Sequence, residues 1–303
     1  GTDHPALEDS LSGKMTYGRM LTGARVLGHR LASTTAPGEA VGVMLPNANV
    51  AAVTVIGLFS ASRVAAMINY TAGEANVTAA VRTAMIRAVV SSRAFVEKAG
   101  LAHVVAAAER GGARVIWLED VQESLTSWEK PVGTLLRRQA IARQDPDKPA
   151  VILFTSGSEG VPKAVVLNGR NLVANTRQIQ ARIAFSRQDK LLNVLPIFHS
   201  FGLSGGTILP LLAGVRLFLY PSPLHYKLIP ETAAKAKPTI LFGTDTFLSG
   251  YARSAKDADF ASLRLVVAGA EPVRAETRRV WRERFGAEIV EGYGLTEAAP
   301  VVA

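Results

Sequence analysis

The sequence predicts an α/β protein built from two subdomains, each a mostly parallel sheet flanked by helices. Three observations predict it. Apolar runs of strand length alternate with helical patterns from one end of the chain to the other. Alternation of that kind joins parallel strands through helical crossovers, which leaves helices on both sheet faces. A polar stretch with two prolines, Arg137 to Pro149, then breaks the rhythm near the middle. It divides the chain into a first subdomain over 1–145 and a second over 146–303. Hydrophobic residues make up 48% of the 303 and charged residues 19%, which is enough apolar mass for sizeable cores and too little charge for disorder.

The elements follow in order. Thr16 is a good N-cap, and Tyr17, Leu21, Ala24 and Leu31 recur behind it at helical spacing. Ala40 to Leu45 reads as a buried strand stopped by Pro46. A helix over about Asn49 to Ser62 leads to a strand at Val64 to Asn69. Another helix, ending near Arg87, leads to a strand at Ala88 to Ser92. Ala113 to Asp120 closes this first set. The second half offers strands at Val151–Phe154, Ala164–Leu167, Leu191–Leu195, Val215–Tyr220, Thr239–Gly243, Leu263–Gly269 and Glu288–Gly294. Gly202 to Val215 is uncharged, but it is too short to span a bilayer and is interrupted by Pro210 and Gly214. It reads as a buried helix running into a strand. The polar opening residues carry no secretory signal pattern.

Composition narrows the chemistry. The chain has no cysteine, which excludes disulfides, thiolate metal sites and a cysteine nucleophile and fits a cytoplasmic setting. The net charge of +9 favours anionic partners such as nucleotides, acidic proteins or a phospholipid surface. No stretch matches a nucleic-acid-binding motif. His4 and Asp9 have the H-x4-D spacing of glycerolipid acyltransferases, but one His and one Asp at that spacing are common by chance, and we assign them no catalytic role. The segment Val273 to Arg284 carries five arginines and two glutamates. Its alternating signs at helical spacing fit a solvated helix face; the other reading is a dock for an acidic carrier protein or anionic lipid.

One stretch carries more. "TSGSEGVPK", Thr155 to Lys163, turns between two strand-like runs. It is neither a Walker A loop nor a G-x-G-x-x-G loop, because the spacing fails and Ala164 stands where Ser or Thr is required. Its chemistry still suits phosphate. Gly157 and Gly160 can leave backbone N–H groups uncovered, Thr155, Ser156 and Ser158 add hydroxyl donors, and Lys163 adds a cation. Glu159 opposes that reading. The residues alone leave open a phosphate cradle and an ordinary hairpin turn.

"LFTSGSEGVPKAVVL" resembles the signature loop of the acyl-adenylate-forming superfamily of acyl-CoA synthetases, luciferases and adenylation domains. "LPIFHSFGL" (Leu195–Leu203), "AGAEPV" (Ala268–Val273) and "EGYGLTE" (Glu291–Glu297) follow in that family's order. "FTSGSEG", "RNLVAN" (Arg170–Asn175), "FHSFGL" and "EGYGLTEAAPVVA" look most like the synthetase part of the bacterial bifunctional 2-acylglycerophosphoethanolamine acyltransferase/acyl-[acyl-carrier-protein] synthetase. The resemblance implies a fatty acid activated by ATP to acyl-AMP, then passed to acyl carrier protein for phospholipid reacylation. Coenzyme A is the alternative acceptor, and a nucleotide-binding module without catalysis is a second alternative.

By resemblance, Lys163, Thr296, Glu297 and His199 take catalytic roles. Thr155, Ser156, Gly157, Ser158 and Gly160 hold the β- and γ-phosphates. Gly269, Ala270 and Glu271 with Glu291, Gly292, Tyr293 and Gly294 line the ATP/AMP site, where Tyr293 stacks on adenine. Thr296 donates to the α-phosphate, and Glu297 holds Mg²⁺. His199 shapes the pocket, while Gly202, Gly205 and Gly206 make room for an acyl chain. The family's ribose-binding aspartate and lysine-bearing C-terminal domain have no counterpart among these residues. The expectation is therefore a fragment, inactive alone, of an enzyme working in the cytoplasm or at the inner face of a bacterial membrane through peripheral association. Ala164 replaces the family's usual Gly, and Asn168-Gly169 replaces its Ser-His.

Overall fold

The computed structural model describes residues 1–156 and 162–303. In chain order the strands are β1 (Pro5–Asp9), β2 (Gly13–Thr16), β3 (Ala40–Val43), β4 (Val64–Met67), β5 (Ala88–Ser91), β6 (Arg114–Trp117) and β7 (Pro149–Thr155). They continue as β8 (Lys163–Asn168), β9 (Lys190–Asn193), β10 (Arg216–Leu219), β11 (Ile240–Gly243), β12 (Leu265–Ala268) and β13 (Ile289–Glu291). Among the described residues they form two sheets, and the chain divides into two compact units. The α/β class with parallel-dominated sheets is as the apolar rhythm predicts.

The first unit comprises Gly1–His4 and Met15–Asn171. Its sheet runs β6-β5-β3-β4-β7-β8, parallel except for β8, which returns antiparallel to β7. β4 and β5 are buried along their whole length, as parallel strands covered on both faces must be. Thr16 caps the helix Tyr17–Ala32 by accepting from the Arg19 amide at 3.3 Å. That helix meets the helix Asn49–Ser60 backbone to backbone at Gly28 and Gly57, where a Cβ on Gly28 would lie 2.5 Å from the Gly57 carbonyl oxygen. No larger residue fits that approach.

The unit boundary falls at Asn171/Leu172 rather than at 145/146. Register explains the difference. β7 extends the first sheet by pairing in parallel with β4, and β8 folds back onto β7, so the residues after the polar connector complete the first unit. The connector is fastened there too, with the Ile141 amide donating to the Ser60 carbonyl at 2.8 Å. Asn168, in place of the usual Ser, exchanges reciprocal bonds with Asn171 (2.8 and 3.0 Å) at the start of the helix Gly169–Arg182.

The second unit holds Pro5–Lys14 and Leu172–Ala303, with a sheet ordered β13-β12-β11-β9-β10-β1-β2. β1, which the polar opening residues concealed, pairs in parallel with β10 and buries Ala6 and Leu7. The Asp9 carboxylate accepts from the Leu11 and Ser12 amides at 2.9 and 2.5 Å, which shapes the turn into β2. His4 stacks on Tyr17 in the first unit at 6.0 Å between centroids. The core of the second unit is aromatic at one end, where Phe260, Trp281 and Phe285 pack within 5.1 Å of one another. No helix among the described residues is long and apolar enough to cross a membrane. Gly202–Tyr220 instead forms a π-helix (Phe201–Ile208), one α-helical turn (Leu209–Ala213) and β10.

Buried Asp189 ties three elements of this unit together. It accepts from Arg264 Nε and Nη2 (both 2.7 Å), the Thr239 hydroxyl (2.8 Å) and the Ser186 amide (2.7 Å). Burial alone would raise its pKa, but the Arg264 guanidinium, the amide and the hydroxyl outweigh that and hold the carboxyl well below its usual range. The resulting stabilisation is complete above the ordinary carboxylate pKa and fades as pH falls toward the depressed folded value. Asp189→Asn is expected to lower the unfolding free energy by about 2–3 kcal/mol at pH 7, a deficit that narrows in acid. Urea denaturation of both proteins at pH 7 and pH 3.5 checks this; a deficit independent of pH would contradict it.

Candidate active site

Parallel strands bring their carboxyl ends to one sheet edge, where open α/β sheets hold ligands. Three of the sequence motifs leave the second sheet at that edge, after β9, β12 and β13. The register aligns Ala268 with Glu291, and the Gly292 amide donates to the Ala268 carbonyl at 2.8 Å. Gly269 is thereby set against Gly292. A Cβ on Gly269 would lie 3.1 Å from the Gly292 carbonyl oxygen and 3.2 Å from the Phe201 ring. The segment after β9 reaches the same place, for the Ser200 and Thr296 hydroxyls are 3.3 Å apart. Phe201, Gly269, Gly292 and Thr296 therefore belong to one cluster within the second unit.

Tyr293 stands on a pinned backbone. Its amide donates to the Ala303 carbonyl at 2.8 Å, and its carbonyl accepts from Val302 at 2.9 Å. Gly294 bridges Val301, and the Leu295 amide donates to the Pro300 carbonyl at 2.8 Å. Gly294 is required because a Cβ there would sit 2.6 Å from that carbonyl oxygen. The Tyr293 side chain nevertheless stays 60% exposed. An exposed ring on a hydrogen-bonded backbone suits stacking against a planar group. Thr296 and Glu297 follow in a short 3₁₀ turn, Thr296–Ala298, with Glu297 exposed.

The turn after β12 is held from both sides. Ala270 has φ +70°, a left-handed conformation that costs a non-glycine residue about 1–2 kcal/mol. Glu271 accepts from the Thr246 amide and hydroxyl at 2.7 and 3.0 Å. Burial would raise the Glu271 pKa, but these bonds and the Thr244 hydroxyl hold it below the usual range. Buried Asp245 accepts from Arg274 Nε at 2.5 Å and from its amide at 3.1 Å. Glu291 pairs with Arg278 and accepts from the Val273 amide at 3.4 Å. The Glu271 and Glu291 carboxylates thus have protein partners, and what these turns offer a ligand is mainly backbone. The arginine-rich segment becomes the helix Ala275–Phe285, whose Arg279 pairs with Glu276 and Glu283, Arg282 with Glu288 and Arg284 with Asp257, while Trp281 is fully buried.

His199 packs edge-on to Phe198 at 4.8 Å. Its side chain reaches solvent, yet desolvation by the surrounding protein lowers its pKa, favouring the neutral ring. The glycines that follow correct an expectation. Gly202, Gly205 and Gly206 do not open a channel for an acyl chain, because protein atoms occupy the space. A Cβ on Gly202 would lie 2.2 Å from the Pro196 carbonyl oxygen, one on Gly205 would lie 3.1 Å from Phe201, and one on Gly206 would lie 2.5 Å from the Asn193 amide group. Asn193 donates to the Gly202 carbonyl (3.1 Å), as does the Thr207 hydroxyl (2.9 Å), which serves a carbonyl inside the widened π-helix.

In the first unit Thr155 lies directly across the β7–β8 ladder from Lys163, with Ser156 next to Thr155 in the chain. Lys163 and Ser156 are exposed. Gly157, Ser158 and Gly160 lie outside the described residues. Two partners escaped sequence reasoning: Ser200, beside Thr296, and Asn175, which bonds Val301. Both stood in quoted motifs, but pairing across 96 and 126 residues has no local signal.

Matching to protein families decides the lineage. The model of the AMP-binding enzyme family matches residues 1–303. The chain belongs to the AMP-binding enzyme family. It is 29% identical over 318 aligned positions to 4-coumarate-CoA ligase 1 of Narcissus pseudonarcissus, covering 99% of this chain and 56% of that enzyme. Over 168 positions it is 31% identical to a long-chain-fatty-acid–CoA ligase of Bacillus subtilis (strain 168), covering 53% of this chain and 30% of that enzyme. The chain therefore spans about half the length, or less, of these relatives. Among solved structures, the anthranilate CoA ligase AuaEII in complex with anthranoyl-AMP superposes with a TM-score of 0.86 at 21% identity, covering 99% of this chain and 57% of that one. ATP-bound MatB from Rhodopseudomonas palustris gives a TM-score of 0.83 at 23% identity, covering 99% and 58%. These similarities establish a shared fold.

Because the glycine spaces are filled, Gly202→Ala and Gly206→Ala are each expected to cost about 1–3 kcal/mol of stability. Thermal and urea unfolding measure this directly. Unchanged stability in both variants would mean that the space beside these glycines is open.

Proposed function

We propose that this AMP-binding chain serves an ATP-dependent ligase that activates a fatty acid as its acyl-adenylate. The observation that carries the reading is the cluster in the second unit. There Gly269 approaches Gly292, the Thr296 hydroxyl lies beside Ser200, and Tyr293, next to Gly292 in the chain, is exposed, all beyond the carboxyl ends of one sheet's strands. These groups fit an adenylate: flat backbone and a ring for the base, and a hydroxyl donor for a phosphate oxygen.

The reaction has two steps. A carboxylate oxygen of the fatty acid attacks the α-phosphorus of ATP, the bond to the bridging oxygen breaks, and pyrophosphate leaves with acyl-AMP remaining. A thiolate then attacks the acyl carbonyl and AMP leaves. Positioning and charge neutralisation carry most of the first step. Within the second unit Tyr293 would hold the base and Thr296 would donate to the α-phosphate; within the first, Lys163 offers a cation and Thr155 and Ser156 offer hydroxyl donors, groups that suit phosphate. His199, neutral at pH 7, borders the acyl group as packing. Mg²⁺, if bound, would offset phosphate charge. Glu297 is the carboxylate that would hold it.

For the acceptor, the motif "FTSGSEG…RNLVAN…EGYGLTE" favours acyl carrier protein and 2-acylglycerophosphoethanolamine reacylation, with peripheral attachment to a membrane. The name of the Bacillus subtilis relative favours coenzyme A. Thioester formation from acyl-AMP with each thiol separates the two. The activation step has its own test. Fatty-acid-dependent exchange of pyrophosphate into ATP by the full-length protein is expected, and Thr296→Val should slow it about a hundredfold. Tyr293→Ala should chiefly raise the KM for ATP. Nucleotide binding without any exchange would identify a binding module instead.

A further inference from the structure

The helix Gly169–Arg182 carries the motif "RNLVAN", to which the chemistry above gives no task. Its last residue, Asn175, is 4% exposed and reaches a segment 126 residues away. The Asn175 Nδ2 donates to the Val301 carbonyl at 2.7 Å, and its Oδ1 accepts from the Val301 amide at 3.2 Å. Nδ2 also donates to Gln178 Oε1 at 3.3 Å. One carboxamide therefore serves both backbone groups of a single residue, as a neighbouring strand would.

That choice of residue matters for the hairpin. Its own bonds join Tyr293 to Val302 and Ala303, and Leu295 to Pro300. Those of Val301, the residue bridged to Gly294, go to Asn175. The hairpin is thus paired internally through its flanking residues and anchored externally at its centre by one side chain. The arm opposite Val301 is Tyr293-Gly294-Leu295, directly before Thr296. Only a group with a donor and an acceptor side by side satisfies both bonds: aspartate offers two acceptors, and alanine or leucine offers neither. Val301 is partly buried, so peptide groups left without these partners would be only partly compensated by water.

We propose that Asn175 is a positioning residue for nucleotide binding. By clamping Val301 it sets the height of the Tyr293 ring and the Thr296 hydroxyl over the sheet edge. This rests on the adenylate reading given above, in which Tyr293 and Thr296 meet the nucleotide. Asn175 acts through the hairpin and touches no substrate.

The test uses Asn175→Ala and the near-isosteric Asn175→Asp in the full-length protein. AMP and Mg-ATP are titrated calorimetrically, with the KM for ATP and for fatty acid measured in parallel. Asn175→Ala is expected to weaken AMP binding and raise the KM for ATP about tenfold or more, with the KM for fatty acid unchanged. Amide hydrogen exchange should accelerate in residues 291–303 and stay as it was elsewhere. In Asn175→Asp the ionised carboxylate faces the Val301 carbonyl, whereas the protonated form restores a donor. Its binding deficit relative to the unmodified protein should shrink as pH falls from 8 toward 5. If the unmodified protein binds AMP and both folded variants bind equally well, the positioning role is wrong. Equal rises in both KM values, or loss of exchange protection throughout the unit, would reduce Asn175 to a general structural residue and overturn the proposal. Absence of AMP and ATP binding in the unmodified protein would overturn the adenylate reading itself.

Discussion

The parallel pairing of β12 with β13 is the constraint on which the site depends. Ala268 opposite Glu291 brings two glycines together just beyond the last paired residues, where a Cβ on Gly269 would crowd the Gly292 carbonyl oxygen at 3.1 Å. A slip of one residue would turn Gly269 away from Gly292 and reverse the inward and outward faces of β13. The apolar alternation that buries Val266, Ala268 and Ile289 therefore also fixes where backbone is left bare for a ligand. Core packing and site geometry are set by the same register.

The support around this edge is polar and local. Glu271 and Asp245 fasten the turn that holds Ala270 in its left-handed conformation, while Asn175 and the hairpin bonds fasten the segment after β13. The side chains that face outward, Tyr293 and Glu297, carry little of this load. Division of labour of this kind suits a site that must bind and release: the groups aimed at the ligand can be polar and exposed because buried partners hold their backbones still.

Much of the fold was legible because parallel strands are buried on both faces and read as continuous apolar runs. Val64–Met67 and Ala88–Ser91 needed no other signal. β1 was not legible, since its partner β10 lies more than 200 residues away and its short run, Pro5–Asp9, has only two buried apolar residues. The boundary at 171/172 was hidden for a related reason: a polar connector looks like a linker, whereas strand order alone reveals which sheet the next strand joins. In the site, residue types were readable from motifs, but what the neighbours do was not. Glycines in an apolar helix suggest empty space equally well whether a ligand or Asn193 fills it. The arginines of Ala275–Phe285 read as a solvated helix face, but the carboxylate that each pairs with, and the turning of Trp281 into the core, are visible only in the fold.

The central claim is that adenosine is held at the edge where the segments after β9, β12 and β13 meet. Photolabelling with 8-azido-ATP, followed by peptide mapping, tests it most directly. The account predicts labelling within 268–271 and 291–297, suppressed by AMP and lost selectively in Tyr293→Ala. Labelling that competes with AMP but falls elsewhere in the chain, and persists in that variant, would contradict it.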